Sequence, residues 1–365
     1  MKQLLILTGT RPEIIKMAPV YRELSTLPDL NVAWCHSGQH DIIAAQMFDF
    51  FGITPDIVLT RPAGYALADL LAGLLQGCDA VLAGQDWDMV LVHGDTSTTL
   101  AGALAAFYRH VPVGHVEAGL RSGHPGEPFP EESNRRLVAG VASRHYAPTP
   151  RALANLRAER ITPGTIRLTG NTIVDAQQAL ARHYGIRRAP ARTPRLLVTA
   201  HRRENWPYLA NICEALLALC RHYPMLEAVF PLHPNPLVRQ IVHPLLDHEP
   251  RISLTAPLDY IALQQELAQA TLVLTDSGGI QEEAAGFRVP CLVLRDTTER
   301  PEAIEAGMAD LVGVDPARIL AAARAWIEGE RRIDPGSANP FGDGRAARRI
   351  RQDVADFLDL PDKAP

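Results

Sequence analysis

The sequence is short of the features that mark several protein classes. Lysine is nearly absent: among 36 basic residues only Lys2, Lys16 and Lys363 are lysine, so an internal lysine stands out. Cysteine is sparse and unpatterned. Cys35, Cys78, Cys213, Cys220 and Cys291 show no CxxC spacing, and their odd number leaves one thiol over in any disulfide scheme. That favours a reducing compartment over a disulfide-stapled secreted fold. No stretch approaches the roughly 18 uninterrupted apolar residues of a membrane span. The apolar run in MKQLLILTGTRPE is also too short for a signal-peptide core, so the expected location is the cytoplasm. There is no GxxxxGK(S/T), HExxH or GxSxG, and the 13 histidines are scattered without ligand spacing. A bound metal is therefore not expected. The net charge of −5 gives no reason to expect binding to nucleic acid.

What is present is an ordinary globular composition, 47% hydrophobic and 21% charged over 365 residues, enough for about two domains. Short apolar runs alternate with helical periodicity. Strands are expected at Leu4–Thr8, Val32–His36, Met89–His93, Val111–Val116 and Arg144–Ala147, with helices between them. GIRRAPARTPR, residues 185–195, lacks periodicity and reads as a linker. The alternation then restarts with strands at Leu196–Ala200, Glu227–Pro231, Arg251–Leu254, Thr271–Thr275 and Pro290–Leu294. The pattern predicts an α/β protein of two doubly wound, Rossmann-like domains facing a cleft, with ligands at the carboxyl ends of the strands. The expected boundaries are 1–184, the linker 185–195, 196–344, and a C-terminal helix in 345–365 packing back on the first domain.

Chemistry-bearing residues cluster at those strand ends. Gly9-Thr10-Arg11-Pro12-Glu13 follows the first strand; Arg11 could fork onto a phosphate, with Lys16 about one turn along the helix. A solvated arginine in a βα turn is the plainer explanation. Asp95 in HGDT ends another strand, although it would also serve as an ordinary helix N-cap. Glu117 in HVEAGLR follows Val111–Val116 directly, where a structural job is hard to find for it. Glu131 in PFPEESNRR would begin a helix, where acids also suit the helix dipole. Three convergent carboxylates are what general acid/base chemistry needs.

In the second half, His201 and Arg202 of TAHRREN, joined by Arg300, suit a diphosphate, and His233 occupies the equivalent edge of the next strand. TDSGGIQEE is the strongest local signal. Ser277, Gly278 and Gly279 offer free N–H groups at a helix start, and Glu283 could accept ribose hydroxyls.

GTRPE with Lys16, HGDT, HVEAGLRS, PFPEESNRR, TGNT, TAHRREN, TDSGGIQEE, LRDTTERPEA and NPFGDG occur in that order across nearly the whole chain. The series closely resembles the non-hydrolysing UDP-N-acetylglucosamine 2-epimerases of bacteria. The resemblance implies a glycosyltransferase-B fold with UDP held largely by the second domain. It also implies interconversion of UDP-N-acetylglucosamine and UDP-N-acetylmannosamine for cell-surface polysaccharide. Similar enzymes need no NAD and no metal: a base takes the C2 proton as UDP leaves C1 in an anti elimination, and UDP then adds back to 2-acetamidoglucal. By motif position Asp95, Glu117 and Glu131 transfer protons. Arg11, Lys16 and His201 face the diphosphate, Ser277, Gly278 and Gly279 cradle it, and Glu283 takes the ribose. The expected partners are UDP-N-acetylglucosamine and UDP, with neither nucleic acid nor membrane, in a homodimer.

One stretch departs from the family pattern. Asp41 and Ile42 stand where many members carry the arginine and glutamine that hold a second, activating UDP-N-acetylglucosamine, and Gly64-Tyr65 lack the expected Arg-Gln pair. An acid near a diphosphate sugar is unfavourable, so this chain is expected to lack that activation or to use a modified second site or substrate. The alternatives are an epimerase of a related UDP-sugar such as a diacetamido uronic acid, a hydrolysing epimerase that releases N-acetylmannosamine and UDP, and a catalytically dead UDP-sugar sensor.

Overall fold

A computed structural model of the chain describes residues 1–38, 41–61, 66–124 and 126–361, with only the backbone given for 41–43. The chain divides into two compact units, Met1–Ala176 with Phe341–Pro365, and Gln177–Pro340.

The first unit runs β1 (Lys2–Thr8), α1 (Arg11–Leu24), β2 (Leu30–His36), α2 (Asp41–Phe51), β3 (Ile57–Val58), α3 (Leu67–Ala83) and β4 (Met89–His93). It continues with α4 (Ser97–Tyr108), β5 (Val113–Val116), α5 (Glu131–Val141), β6 (Arg144–Ala147), α6 (Pro150–Ala158), β7 (Ile166–Leu168) and the start of α7 (Thr172–Tyr184). Among the described residues its strands form one parallel sheet in the order β3-β2-β1-β4-β5-β6-β7. The strands are buried apolar runs, as a sheet covered on both faces requires. Leu5, Leu7, Val90 and Val92 pack against Leu100, Ala101 and Ala103 of α4. A side chain at Gly102 would come within 2.6 Å of Leu7, so only glycine lets α4 sit this close to β1.

The second unit contains β8 (Arg195–Thr199), α8 (Leu209–His222), β9 (Glu227–Pro231), α9 (Pro236–Leu246), β10 (Ile252–Thr255) and α10 (Tyr260–Gln269). After these come β11 (Leu272–Thr275), α11 (Gly278–Gly286), β12 (Cys291–Val293), α12 (Glu302–Glu305), β13 (Ala309–Leu311) and α13 (Pro316–Ile327). Its sheet, again parallel, has the order β10-β9-β8-β11-β12-β13. In each sheet the order reverses once, between β1 and β4 and between β8 and β11. The loops that leave those strand ends diverge there and open a crevice.

Three features differ from the sequence expectation. Residues 185–195 are not a free linker: the Arg188 Nη1 and Ala189 N–H groups each donate to the Ala268 carbonyl at 2.9 Å, and the Ala191 N–H donates to Gln269 at 3.1 Å. Proline and arginine content signals irregular backbone, and here that backbone is bonded to the end of α10. The division between units falls instead inside α7, between Ala176 and Gln177, and the chain returns at Phe341 rather than after 344. Finally β3, β7, β13, α6, α9 and α12 were not foreseen.

The last helix, α14 (Ala346–Phe357), belongs to the first unit and packs on α1. The Asp175 carboxylate accepts the N–H groups of Ala346 at 3.2 Å and Ala347 at 3.0 Å, a cap delivered from a distant helix. Arg144 donates through Nε to Asp353 at 2.9 Å and fixes the other end.

Candidate active site

In the first unit the β1–α1 turn is built around Glu13. Thr10 is the N-cap of α1, and Glu13 completes a capping box. Its Oε2 accepts the N–H groups of Gly9 at 3.1 Å and Thr10 at 2.7 Å, while its Oε1 accepts the Thr96 hydroxyl at 2.9 Å. One buried carboxylate thus joins the turn after β1 to the turn after β4. Burial pushes Glu13 up to about 7. Gly9 is required by packing, since a Cβ there would meet Thr98 Oγ1 at 2.2 Å and Ser37 Oγ at 2.4 Å. Arg11 occupies the first position of α1 and is half-buried.

Asp95 is not the cap of α4. That role falls to Thr96, whose hydroxyl accepts the Thr99 N–H at 3.1 Å, so the ordinary explanation for Asp95 fails. Asp95 is partly exposed and forms an ion pair with the buried Arg135 of α5, and its carbonyl accepts Asn134 Nδ2 at 2.8 Å. The turn is held from β5 by His115, whose Nε2 lies 2.7 Å from the Gly94 carbonyl. Burial pushes this imidazole down to about 3, so it is neutral and donates.

Glu117 sits at the carboxyl end of β5 with φ 64°, a left-handed conformation that glutamate rarely adopts. Such a residue costs about 1–3 kcal/mol and persists where surrounding contacts over-determine it. Those contacts are present. Buried Lys16 is ion-paired with Glu117, Asn171 Nδ2 donates to Glu117 Oε2 at 3.2 Å, and His93 Nε2 lies 3.8 Å from the same oxygen. Two residues on, Gly119 has φ 90°, and a Cβ there would meet the Ala152 carbonyl at 2.2 Å. Lys16, expected beside a diphosphate, is thus the buried partner of Glu117.

Glu131 opens α5 and is half-buried. Its neighbour Glu132 is fully buried and binds the Ser122 N–H at 3.0 Å and Arg135 at 3.2 Å.

In the second unit Asp276 holds together the turn after β8 and the start of α11. Ser277 is the N-cap of α11, and its N–H, expected to be free, instead donates to Thr275 Oγ1 at 3.0 Å. The fully buried Asp276 carboxylate instead accepts the N–H groups of His201 and Arg202, each at 3.0 Å, and Asn205 Nδ2 at 3.1 Å. It therefore shapes the whole turn after β8. The His201 side chain stays half exposed, with Nδ1 3.5 Å from Asp276. His233 Nδ1 accepts the Asn235 N–H at 3.1 Å, and burial, then His201 and Arg203, push its pKa down.

At the α11 N-terminus, Arg300 lies across Gly278, where a Cβ would come 2.3 Å from the guanidinium. Arg300 is ion-paired with Glu282 and Glu299, and Arg202 lies 3.6 Å from Glu299. Glu283 is buried and accepts Gln264 Nε2 at 2.9 Å. The residues that sequence reasoning missed are His93, Arg135, Asn171, Gln264 and Asp276, together with the bridging role of Glu13. Most lie in motifs already noticed, but their partners are many residues away.

Gln39, His40, Gly64 and Tyr65, and the side chains of Asp41 and Ile42, lie outside the described residues. Among the described residues no group of three or more His, Cys, Asp or Glu side chains is arranged to hold a metal ion. No helix among them is long and apolar enough to cross a membrane.

The family model described as UDP-N-acetylglucosamine 2-epimerase matches residues 22–355. The UDP-N-acetylglucosamine 2-epimerase of Escherichia coli (strain K12) is 40% identical over 366 residues, covering 95% of this chain and 97% of its own. The S. aureus MnaA–UDP structure superposes with a TM-score of 0.91 at 38% identity, covering 100% of this chain and 99% of its own. The Neisseria meningitidis UDP-GlcNAc 2-epimerase bound to UDP-GlcNAc gives 0.88 at 37% identity, covering 98% and 100%. With its two parallel-sheet units of glycosyltransferase-B type, this chain belongs to the UDP-N-acetylglucosamine 2-epimerase family.

Proposed function

We infer that the chain is an isomerase that inverts C2 of UDP-N-acetylglucosamine to give UDP-N-acetylmannosamine, reversibly and without net hydrolysis. The observation that carries this reading is Glu117, a buried carboxylate in a left-handed conformation at a strand end, ion-paired with Lys16. Strain of that kind at a polar strand end fits a proton-transfer group better than a structural one.

In this reading a carboxylate of the first unit takes the C2 proton while UDP leaves C1 on the opposite face. The resulting 2-acetamidoglucal is protonated from its other side as UDP returns. Asp95, Glu117 and Glu131 supply the carboxylates. Arg135 is ion-paired with Asp95, and Lys16 with Glu117. The second unit supplies the anion site. The N–H groups of Gly278 and Gly279 and the Ser277 hydroxyl at the α11 N-terminus, with His201, Arg202 and His233, receive the diphosphate, and Glu283 receives the ribose. Donors fixed in advance around a leaving diphosphate stabilise the charge that develops as the C1–O bond breaks.

Proton NMR of UDP-N-acetylglucosamine with the enzyme in D2O tests this reading. Deuterium at C2 with the UDP linkage retained is the expected result. Accumulation of free N-acetylmannosamine would turn the assignment to a hydrolysing epimerase, and absence of exchange would overturn it.

A further inference from the structure

Asn171 lies in the turn between β7 and α7 and is buried. Its polar groups are all committed. The backbone N–H donates to the Phe341 carbonyl at 2.8 Å, Oδ1 accepts the Ile173 N–H at 3.0 Å, and Nδ2 donates to Glu117 Oε2 at 3.2 Å. Because Oδ1 takes the Ile173 N–H, turning the amide over would set donor against donor there and acceptor against acceptor at Glu117. The orientation is therefore fixed by chemistry.

The groups that meet Glu117 come from several elements: Lys16 from α1, His93 from β4, and Asn171 from the β7–α7 turn. The Asp95–Arg135 pair lies on the adjoining β4–α4 turn and α5. Lys16 and His93 can gain or lose protons, whereas the Asn171 amide is a neutral donor that keeps its protons across the working pH range. It is anchored on one side by the start of α7 and on the other by the segment that returns to this unit at Phe341.

We propose that Asn171 is a positioning residue for proton transfer at C2, its side-chain amide holding the Glu117 carboxylate oriented and ionised. The inference rests on the reading of Glu117 as a proton-transfer group. A carboxylate on a left-handed backbone has few rotamers that keep it in the site, and a fixed donor selects among them. A donor to the charged form also favours that form.

Asn171→Asp tests this, because aspartate keeps an acceptor for the Ile173 N–H while replacing the donor to Glu117 with a second acid. The Glu117 midpoint is followed by 13C NMR of protein labelled at the glutamate carboxyl carbons, the signal being assigned by its loss in Glu117→Gln. It is expected to move up by about one pH unit or more in Asn171→Asp. The acid limb of the pH profile for deuterium exchange at C2 should move with it, lowering the rate about tenfold on that limb. Asn171→Ser keeps a shorter acceptor for the helix start but cannot reach Glu117, and it should give a smaller upward move. If both variants leave the midpoint and the limb in place and lose only thermal stability, Asn171 is a helix cap and the proposal is wrong. The titration needs no turnover. A wild-type protein that washes in no deuterium would sink the epimerase reading alone, and the Asn171 proposal would still be decided by the Glu117 signal.

Discussion

The two units share a topology and differ in what they place on it. Both are parallel sheets whose strand order reverses once, and both carry their polar motifs on the turns at that reversal. In the first unit side-chain charges stand in opposed pairs near the strand ends, buried Lys16 with Glu117 and buried Arg135 with the partly exposed Asp95, on a backbone strained at Glu117. In the second unit the proposed binding groups are backbone N–H groups and glycines, and the buried carboxylate of Asp276 arranges backbone. In the reading proposed above, the same scaffold would support proton transfer in one case and anion binding in the other, and the difference lies in side chains at a few strand ends.

The sharpest way to break this contrast is Glu117→Gln. It should lower kcat for epimerisation by about 10^3-fold, the range for a lost acid/base group, while the UDP affinity measured by calorimetry stays within a few-fold. Comparable losses in both would mean that the division of labour is wrong.

The next effect concerns stability. Glu13 binds its proton more tightly in the folded chain, at about 7, than at its ordinary 4.5. Folding therefore takes up a proton between those values, and stability falls as pH rises through that window. The cost at neutral pH and above is about 3 kcal/mol. Glu13→Gln lacks this slope, so in urea unfolding it should gain on the wild type between about pH 5 and about pH 8. Parallel stability curves would show that Glu13 is not held against its charge.

Gly278→Ala probes the second unit. The added methyl collides with Arg300 and should weaken UDP binding about tenfold, the scale of one charge-assisted hydrogen bond. Deuterium exchange at saturating substrate should change less than affinity.

The smallest expected effect is an absence. Because Asp41 and Ile42 replace the residues of the activating site, progress curves that start from UDP-N-acetylmannosamine should show no lag and no acceleration by traces of UDP-N-acetylglucosamine. Sigmoidal kinetics relieved by such traces would refute that.

Much of this molecule is legible from sequence. The runs at Met89–His93 and Glu227–Pro231 are strands at those limits, because largely apolar runs in a two-sided sheet leave little ambiguity, and Arg144–Ala147 is one as well despite its polar residues. The strands β3, β7 and β13, of two or three residues each, are too short to carry a period. The helices α6 and α9 did announce themselves through Thr149-Pro150 and Asn235-Pro236, an N-cap followed by proline at the first position, a signal that apolar periodicity alone passes over. Motif reading singled out Glu117 and Asp95 because both follow buried strands. It could not pair Lys16 with Glu117 across 101 residues, nor join Glu13 to Thr96 across 83, since those contacts exist only after β1, β4 and β5 lie side by side.

The second unit is an insertion: residues 177–340 are contiguous, while the first unit is closed by α14, which follows the second unit in the chain. A ribosome therefore finishes the second unit before the first can be completed. Until α14 emerges, α1 lacks the helix that packs on it and the Asp175 carboxylate lacks the N–H groups it caps. Removing α14 would therefore strike the first unit, which bears Glu117.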